Sequence, residues 1–271
     1  MEEHTPKSKM EVLSQEIGDN VGYYRVRAGN RVHRLTINCD VYDEDTMCRP
    51  YLLIQRLPDF PDAAWTKMHI FREVAGDPSS PISNTISWEM PPAIEPTWHP
   101  EYIDVLSLRR TERYGPNVHE VVFNGRPAIS KIACWEWEIS RLENETYVYK
   151  VITKHAHEHE DRSPIAPAFL GNLTENGRVI GMLLEKIEVV HASLDNLPVC
   201  ESVLRRVHGL GIVHWDVNRY NFLVCGGGQV RLVDFEHAQV FDDERAAQEL
   251  KSLSSELVEE TGRGAPLELE Y

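Results

Sequence analysis

The stretch GIVHWDVNRYNFLV, residues 211–224, places His214, Asp216 and Asn221 between two apolar runs. Further along, the run QVRLV ends in Asp234-Phe235-Glu236. A carboxylate such as Asp216 can orient a hydroxyl group and take its proton. An amide oxygen and a second carboxylate, here Asn221 and Asp234, are oxygen donors of the kind Mg²⁺ prefers. Together these groups suit phosphoryl transfer, which asks for positioning and charge neutralisation more than for covalent chemistry.

Such groups work only if regular elements bring them together. NFLV and QVRLVDF read as a strand hairpin across Gly226-Gly227-Gly228, which would set Asn221 beside Asp234. Asn196-Leu197-Pro198 is a helix start, and that helix stops near Gly209 and Gly211. HEVVF and RPAISKIA read as strands joined at Asn124-Gly125, and FLGNLTE and RVIGMLLEKI as strands joined at Asn176-Gly177. Between the two hairpins, residues 135–152 read as a helix with Ile139, Leu142, Thr146, Val148 and Tyr149 near one face. A last helix is expected over about 243–260, with Leu250, Leu253 and Leu257 on one stripe and Asp242-Asp243-Glu244 at its start.

In order and spacing, His214-x-Asp216-x-x-x-x-Asn221 followed by Asp234-Phe235-Glu236 resembles the catalytic and metal-binding loops of the protein-kinase-like fold. The resemblance implies upstream parts, and the chain supplies candidates in the right order. Lys131 on its strand would bind the α- and β-phosphates of ATP. Glu145 would hold Lys131, because Val148 and Tyr149 follow it on the inward side; Glu143 and Glu138 are the alternatives. Leu184-Glu185-Lys186-Ile187 would be the hinge, offering backbone groups of Glu185 and Ile187 to adenine. Asp216 would be the catalytic base, with Asn221 and Asp234 as Mg²⁺ ligands.

A narrower resemblance runs through ENETYVY, PAFLGNLTENGRVIGMLLEKI, GIVHWDVNRYNFLV and VRLVDFEHA. These segments are similar to a set of fungal kinase-like proteins, some of which carry the name alpha-galactosidase A. The likeness covers about residues 95–240, and CRPYLLIQRLPDFPDAAW is similar more loosely. Glycosidase chemistry would need two carboxylates flanking a sugar, and no such pair can be read from the chain. Asp234-Phe235-Glu236 also resembles choline-kinase and aminoglycoside-kinase relatives, which phosphorylate small molecules.

The chain departs from the protein-kinase pattern at four points. No G-x-G-x-x-G precedes Lys131. Trp215 stands between His214 and Asp216, where Arg or Gly is usual. Glu236 replaces the Gly of Asp-Phe-Gly. No A-P-E follows, and the remaining residues have room for one helix, so no peptide-docking platform is expected. The reading is an α+β protein with a bilobal kinase-like fold: an arm over 1–20, an N-terminal β and Pro-rich extension over 21–102, a five-stranded first lobe over 103–188 and a shortened second lobe over 189–271. The expected activity is ATP- and Mg²⁺-dependent transfer to a hydroxyl of a small molecule. Two alternatives are a pseudokinase that binds a protein partner and an adenylyl transferase on the same fold.

Composition narrows the partners. The 271 residues carry 43 acidic and 28 basic side chains, a net charge of −15, which disfavours nucleic-acid and anionic-membrane surfaces. The five cysteines form no CxxC pair, as expected of reduced thiols in an intracellular, cytoplasmic protein. The N-terminus lacks a signal-peptide h-region, and no apolar run is long enough to span a membrane.

Other polar residues have plain structural readings. His33, Leu35, Ile37, Cys39 and Val41 alternate with polar residues, as in a half-buried strand, paired with 23–27 across Ala28-Gly29-Asn30. Residues 77–100 read as an irregular Pro-rich connector. His155, His157 and His159 read as a solvated loop, Cys39 and Cys48 as core or loop thiols, Trp135 and Trp137 as lobe packing, and His214 as a loop-holding residue.

Overall fold

The computed structural model describes residues 6–159, 163–188 and 190–265. The chain is a mixed α+β protein that divides into two compact units, Met1–Pro91 and Pro92–Tyr271. No helix among the described residues is long and apolar enough to cross a membrane.

The first unit is one sheet of five strands in the order β1-β2-β3-β4-β5. These are β1 (Met10–Ile17), β2 (Val21–Ala28), β3 (Arg31–Asn38), β4 (Lys67–Arg72) and β5 (Ile82–Ser87). Only the β3–β4 pair is parallel. A parallel pair needs a crossover, and two short helices supply it, α1 (Glu44–Cys48) and α2 (Pro50–Arg56). Asp43 caps α1 by accepting the Thr46 amide at 2.9 Å. Tyr24, Leu35, Ile37, Leu53, Trp65 and Ile70 form the centre of the core.

Three expectations fail here. The arm expected over 1–20 is a strand from Met10 to Ile17, an edge partner of β2 with a register shift between Val12 and Ser14. Its polar look reflects an edge strand with one buried residue, Met10. The connector expected over 77–100 contains β5, which Pro residues flank but do not enter. The extension expected to reach residue 102 ends earlier, because residues from Pro92 onward belong to the second unit. There the Ile94 amide bonds to the Val179 carbonyl at 2.9 Å, and Trp98 meets Phe169 with ring centroids 4.6 Å apart.

The second unit holds a six-stranded sheet, one strand more than expected. Its strands are β6 (Tyr102–Asp104), β7 (Arg109–Arg113), β8 (Val118–Phe123), β9 (Arg126–Ile132), β10 (Phe169–Glu175) and β11 (Arg178–Glu185), in the order β6-β10-β11-β9-β8-β7. Three-residue β6 and fully exposed β7 are its edges, and neither carries the alternation that marks a half-buried strand. At the centre, β11 passes so close to β9 that a Cβ on Gly181 would lie 2.2 Å from the Lys131 carbonyl oxygen. Glycine at that position allows the two central strands to pair beside Lys131.

Helix α3 (Ile139–Glu158) follows β9 after one 3₁₀ turn, Glu136–Glu138. It runs beyond residue 152 and takes in His155 and His157, which were expected in a loop. Helical spacing sets His155 and His159 together, with rings stacked at 4.1 Å. Beyond the sheet come β12 (Val190–His191), α4 (Leu197–Gly209), β13 (Ile212–Val213), β14 (Phe222–Val224), β15 (Val230–Leu232), β16 (Gln239–Val240) and α5 (Asp243–Glu256). β12, β14 and β15 form one small sheet, and β13 pairs with β16. Asp242 caps α5 by accepting the Arg245 amide at 3.0 Å. One core joins α3, β10, β11, α4 and α5 through Tyr149, Phe169, Met182, Leu204, Phe235 and Leu253.

Candidate active site

The second unit contains a cleft of about 460 Å³ that collects most of the residues singled out in the sequence. Lys131, Glu145, Glu185, Ile187, Asn221 and Asp234 all line it. Apolar walls come from Val118, Ile129, Leu184 and Leu223.

Lys131 is carried by β9. Strand alternation on β9 turns its side chain to the same face as Ile129. The Glu145 carboxylate lies 2.5 Å from its ammonium, Asp234 accepts a hydrogen bond from it, and Glu236 is 3.9 Å away. Of the three glutamates considered in the sequence, Glu145 alone meets Lys131. Glu143 accepts the Glu95 amide at 3.0 Å, and Glu138 accepts the Trp135 amide at 2.9 Å.

Burial shapes the charges. Glu145 is 1% exposed, and burial pushes its pKa up to about 7 against the attraction of Lys131. Burial alone would lower the Lys131 pKa, but the negative charges of Glu145 and Asp234 outweigh it and raise the value. Burial likewise opposes ionisation of Asp234, and Lys131 reverses that, holding the carboxyl below its ordinary value. A lysine among acidic groups stays charged.

Asp234 adopts a left-handed backbone, with φ 65° and ψ 57°, which Asp tolerates better than most residues. The turn after it is held from α3, because the Asn144 amide donates to the Ala238 carbonyl at 2.7 Å and the Glu236 carbonyl at 3.1 Å. Phe235 is fully buried and meets Tyr149 edge-on at 5.7 Å. Asn144 was not singled out in the sequence, and only its place next to Glu145 hinted at a role.

Asp216 lies on the loop between β13 and β14. Its Oδ2 accepts from Asn218 at 3.2 Å and from Asn221 at 3.3 Å. The Asn221 amide also donates to the Asp216 carbonyl at 2.9 Å, which fixes the Asn221 nitrogen and leaves its oxygen as the ligand end. The Asn221 carbonyl accepts the Val233 amide at 3.1 Å, so the loop is tied to the strand end that carries Asp234. His214 is fully buried and donates from Nε2 to the Val233 carbonyl at 2.9 Å. Burial holds its pKa below the usual histidine value, consistent with a neutral ring that links the same two segments.

Trp215 has φ 64°, an uncommon conformation for an aromatic residue. Its amide donates to Glu249, a buried carboxylate on α5 whose other oxygen lies 2.7 Å from His208 Nε2. Glu249 therefore fastens the loop one residue before Asp216. The sequence did carry a signal for it: Ala246, Glu249, Leu253 and Leu257 share the buried stripe of α5, and a glutamate on such a stripe needs a partner.

The hinge expectation needs one correction. The Glu185 amide donates to the Ala168 carbonyl at 2.9 Å, and its carboxylate meets Arg231 at 2.8 Å. Of the Glu185 backbone, only the carbonyl can be offered to a ligand. Lys186 also lines the cleft, and its ammonium pairs with Glu120.

The donor set fits Mg²⁺. Asn221 and Asp234 present oxygen only, and Mg²⁺ commonly takes few protein ligands alongside phosphate and water. Among the described residues no group of three His, Cys, Asp or Glu side chains is arranged to hold a metal. Comparison of the chain with protein-family models and with curated proteins finds no match.

Proposed function

We propose that residues 92–265 form a shortened bilobal kinase-like fold and that the protein transfers a phosphoryl group from ATP to a hydroxyl of a small molecule. The observation that carries this reading is Lys131 held between Glu145 and Asp234 in a cleft that Asn221 also lines. Apolar walls beside backbone groups at Glu185 and Ile187 suit adenine. Lys131 binds the α- and β-phosphates, and Glu145 keeps it aimed. Asn221 and Asp234 would hold Mg²⁺, which neutralises phosphate charge. The acceptor oxygen attacks the γ-phosphorus, the bond to the β–γ bridging oxygen breaks, and Asp216 takes the hydroxyl proton as ADP leaves.

A second reading, a module that binds nucleotide without turnover and engages a protein partner, draws on Arg263, whose guanidinium lies 3.4 Å from Asp216 Oδ1. Product analysis separates the readings. An acceptor screen with ATP and Mg²⁺ should yield ADP, and Asp216→Ala should lose turnover while keeping nucleotide affinity. AMP and pyrophosphate would indicate adenylyl transfer. Equal turnover by wild type and Asp216→Ala would refute the assigned base.

A further inference from the structure

The turn Thr261 to Ala265 crosses the loop that carries Asp216. Its two glycines, Gly262 and Gly264, have φ of 80° and 81°, and the Ala265 amide closes the turn on the Gly262 carbonyl at 2.9 Å. Left-handed residues on both sides of Arg263 set its side chain on the loop. Its guanidinium reaches the Val217 carbonyl at 3.2 Å, Glu256 at 2.5 Å and Asp216 Oδ1 at 3.4 Å. Gly264 sits so close to Asn218 that a Cβ there would be 2.8 Å from its side-chain oxygen.

The two oxygens of Asp216 are thereby divided. Oδ2 takes the amides of Asn218 and Asn221, and Oδ1 faces Arg263. Oδ1 is the oxygen left for an incoming hydroxyl, and the guanidinium stands in front of it. We infer that the 261–265 turn is an autoinhibitory strap: Arg263 occupies the acceptor position at Asp216, and the strap must move before transfer. The inference rests on the phosphotransferase reading. The contact suits a reversible device, because Arg263 is half exposed and exposed ion pairs are weak.

The test uses the full chain and two variants that act differently. Arg263→Ala removes the blocking group. Gly262→Val strains the left-handed turn at a position where a Cβ meets nothing within 4 Å, so the loop itself is untouched. Hydrolysis of Mg²⁺–ATP to ADP and phosphate, with water as acceptor, is the turnover probe. Both variants should raise kcat about fivefold, the scale of an exposed ion pair, with KM for ATP unchanged. Without nucleotide, hydrogen exchange of the amides at 216–221 should quicken in both. Unchanged or lower kcat, or unchanged exchange, in variants that still show a Mg²⁺-dependent thermal shift with ATP overturns the strap alone. Loss of that shift in wild type overturns the strap together with the parent reading.

Discussion

Two sides of the site, Lys131 with its carboxylates in the cleft and Asp216 on a loop outside the residues that line the cleft, are built on opposite principles. On the Lys131 side, three charged groups are pressed together, and Glu145 has almost no contact with water. On the Asp216 side, a carboxylate at 24% exposure is held by neutral amides and one half-exposed arginine. A buried pair is rigid because losing one partner strands a charge in the interior. An exposed pair can open at little cost. Under the proposed function, the fixed task, gripping phosphate, falls to the buried side, and the adjustable task, admitting an acceptor, to the more exposed side.

Breaking the buried side should have the largest effect. Lys131→Met leaves Glu145 and Asp234 without their cation and should cost about 3 kcal/mol of unfolding free energy, read by urea titration. The double variant Lys131→Met with Glu145→Leu should recover part of that loss, because it removes the stranded charge. A double variant weaker than the single one would contradict the buried-pair account. Next in size, Gly181→Ala drives a Cβ into the Lys131 carbonyl and should cost about 2 kcal/mol. On the exposed side, Arg263→Ala should cost less than about 1 kcal/mol in the same titration. An equal loss at Arg263 and Lys131 would erase the contrast between the sides.

A separate effect on the buried side is a slope with pH. Folding raises the Glu145 pKa from 4.5 to about 7. Between those values the folded chain keeps a proton that the unfolded chain has released, so this group's contribution to stability falls as pH rises and levels off above about pH 7. Asp234 has the opposite sign, because its pKa is lowered. Glu145→Gln should remove the Glu145 slope, so the Tm of the variant minus that of wild type should grow from pH 4.5 to 7. A constant difference would mean that Glu145 is ionised throughout.

The central elements were legible because each carries a strong local pattern. Asn124-Gly125 and Asn176-Gly177 turn sharply between apolar runs, and residues 118–123, 126–132, 169–175 and 178–185 became strands as expected. Glu145 could be chosen because it shares a helix face with Val148 and Tyr149. The edges were illegible for the converse reason. RRTER in β7 is exposed throughout and forms a strand only because β8 offers hydrogen bonds. MEVLSQEI in β1 alternates poorly because it is a bulged edge. Thr-Gly-Arg-Gly announces a turn, but the Asp216 that Arg263 meets is 47 residues away in sequence, and local pattern carries no such distance. The Glu185 amide was misjudged because β10 and β11 leave Ala168 opposite it, a register detail set by the bulge between Phe169 and Gly171.

The most direct measurement is a thermal shift with ATP, with and without Mg²⁺, on wild type and Asp234→Ala. A ligand that binds only the folded chain raises Tm. The account predicts a Mg²⁺-dependent rise in wild type that Asp234→Ala loses. No rise at millimolar ATP, or an equal rise in both proteins, would contradict a nucleotide site built on Lys131, Asn221 and Asp234.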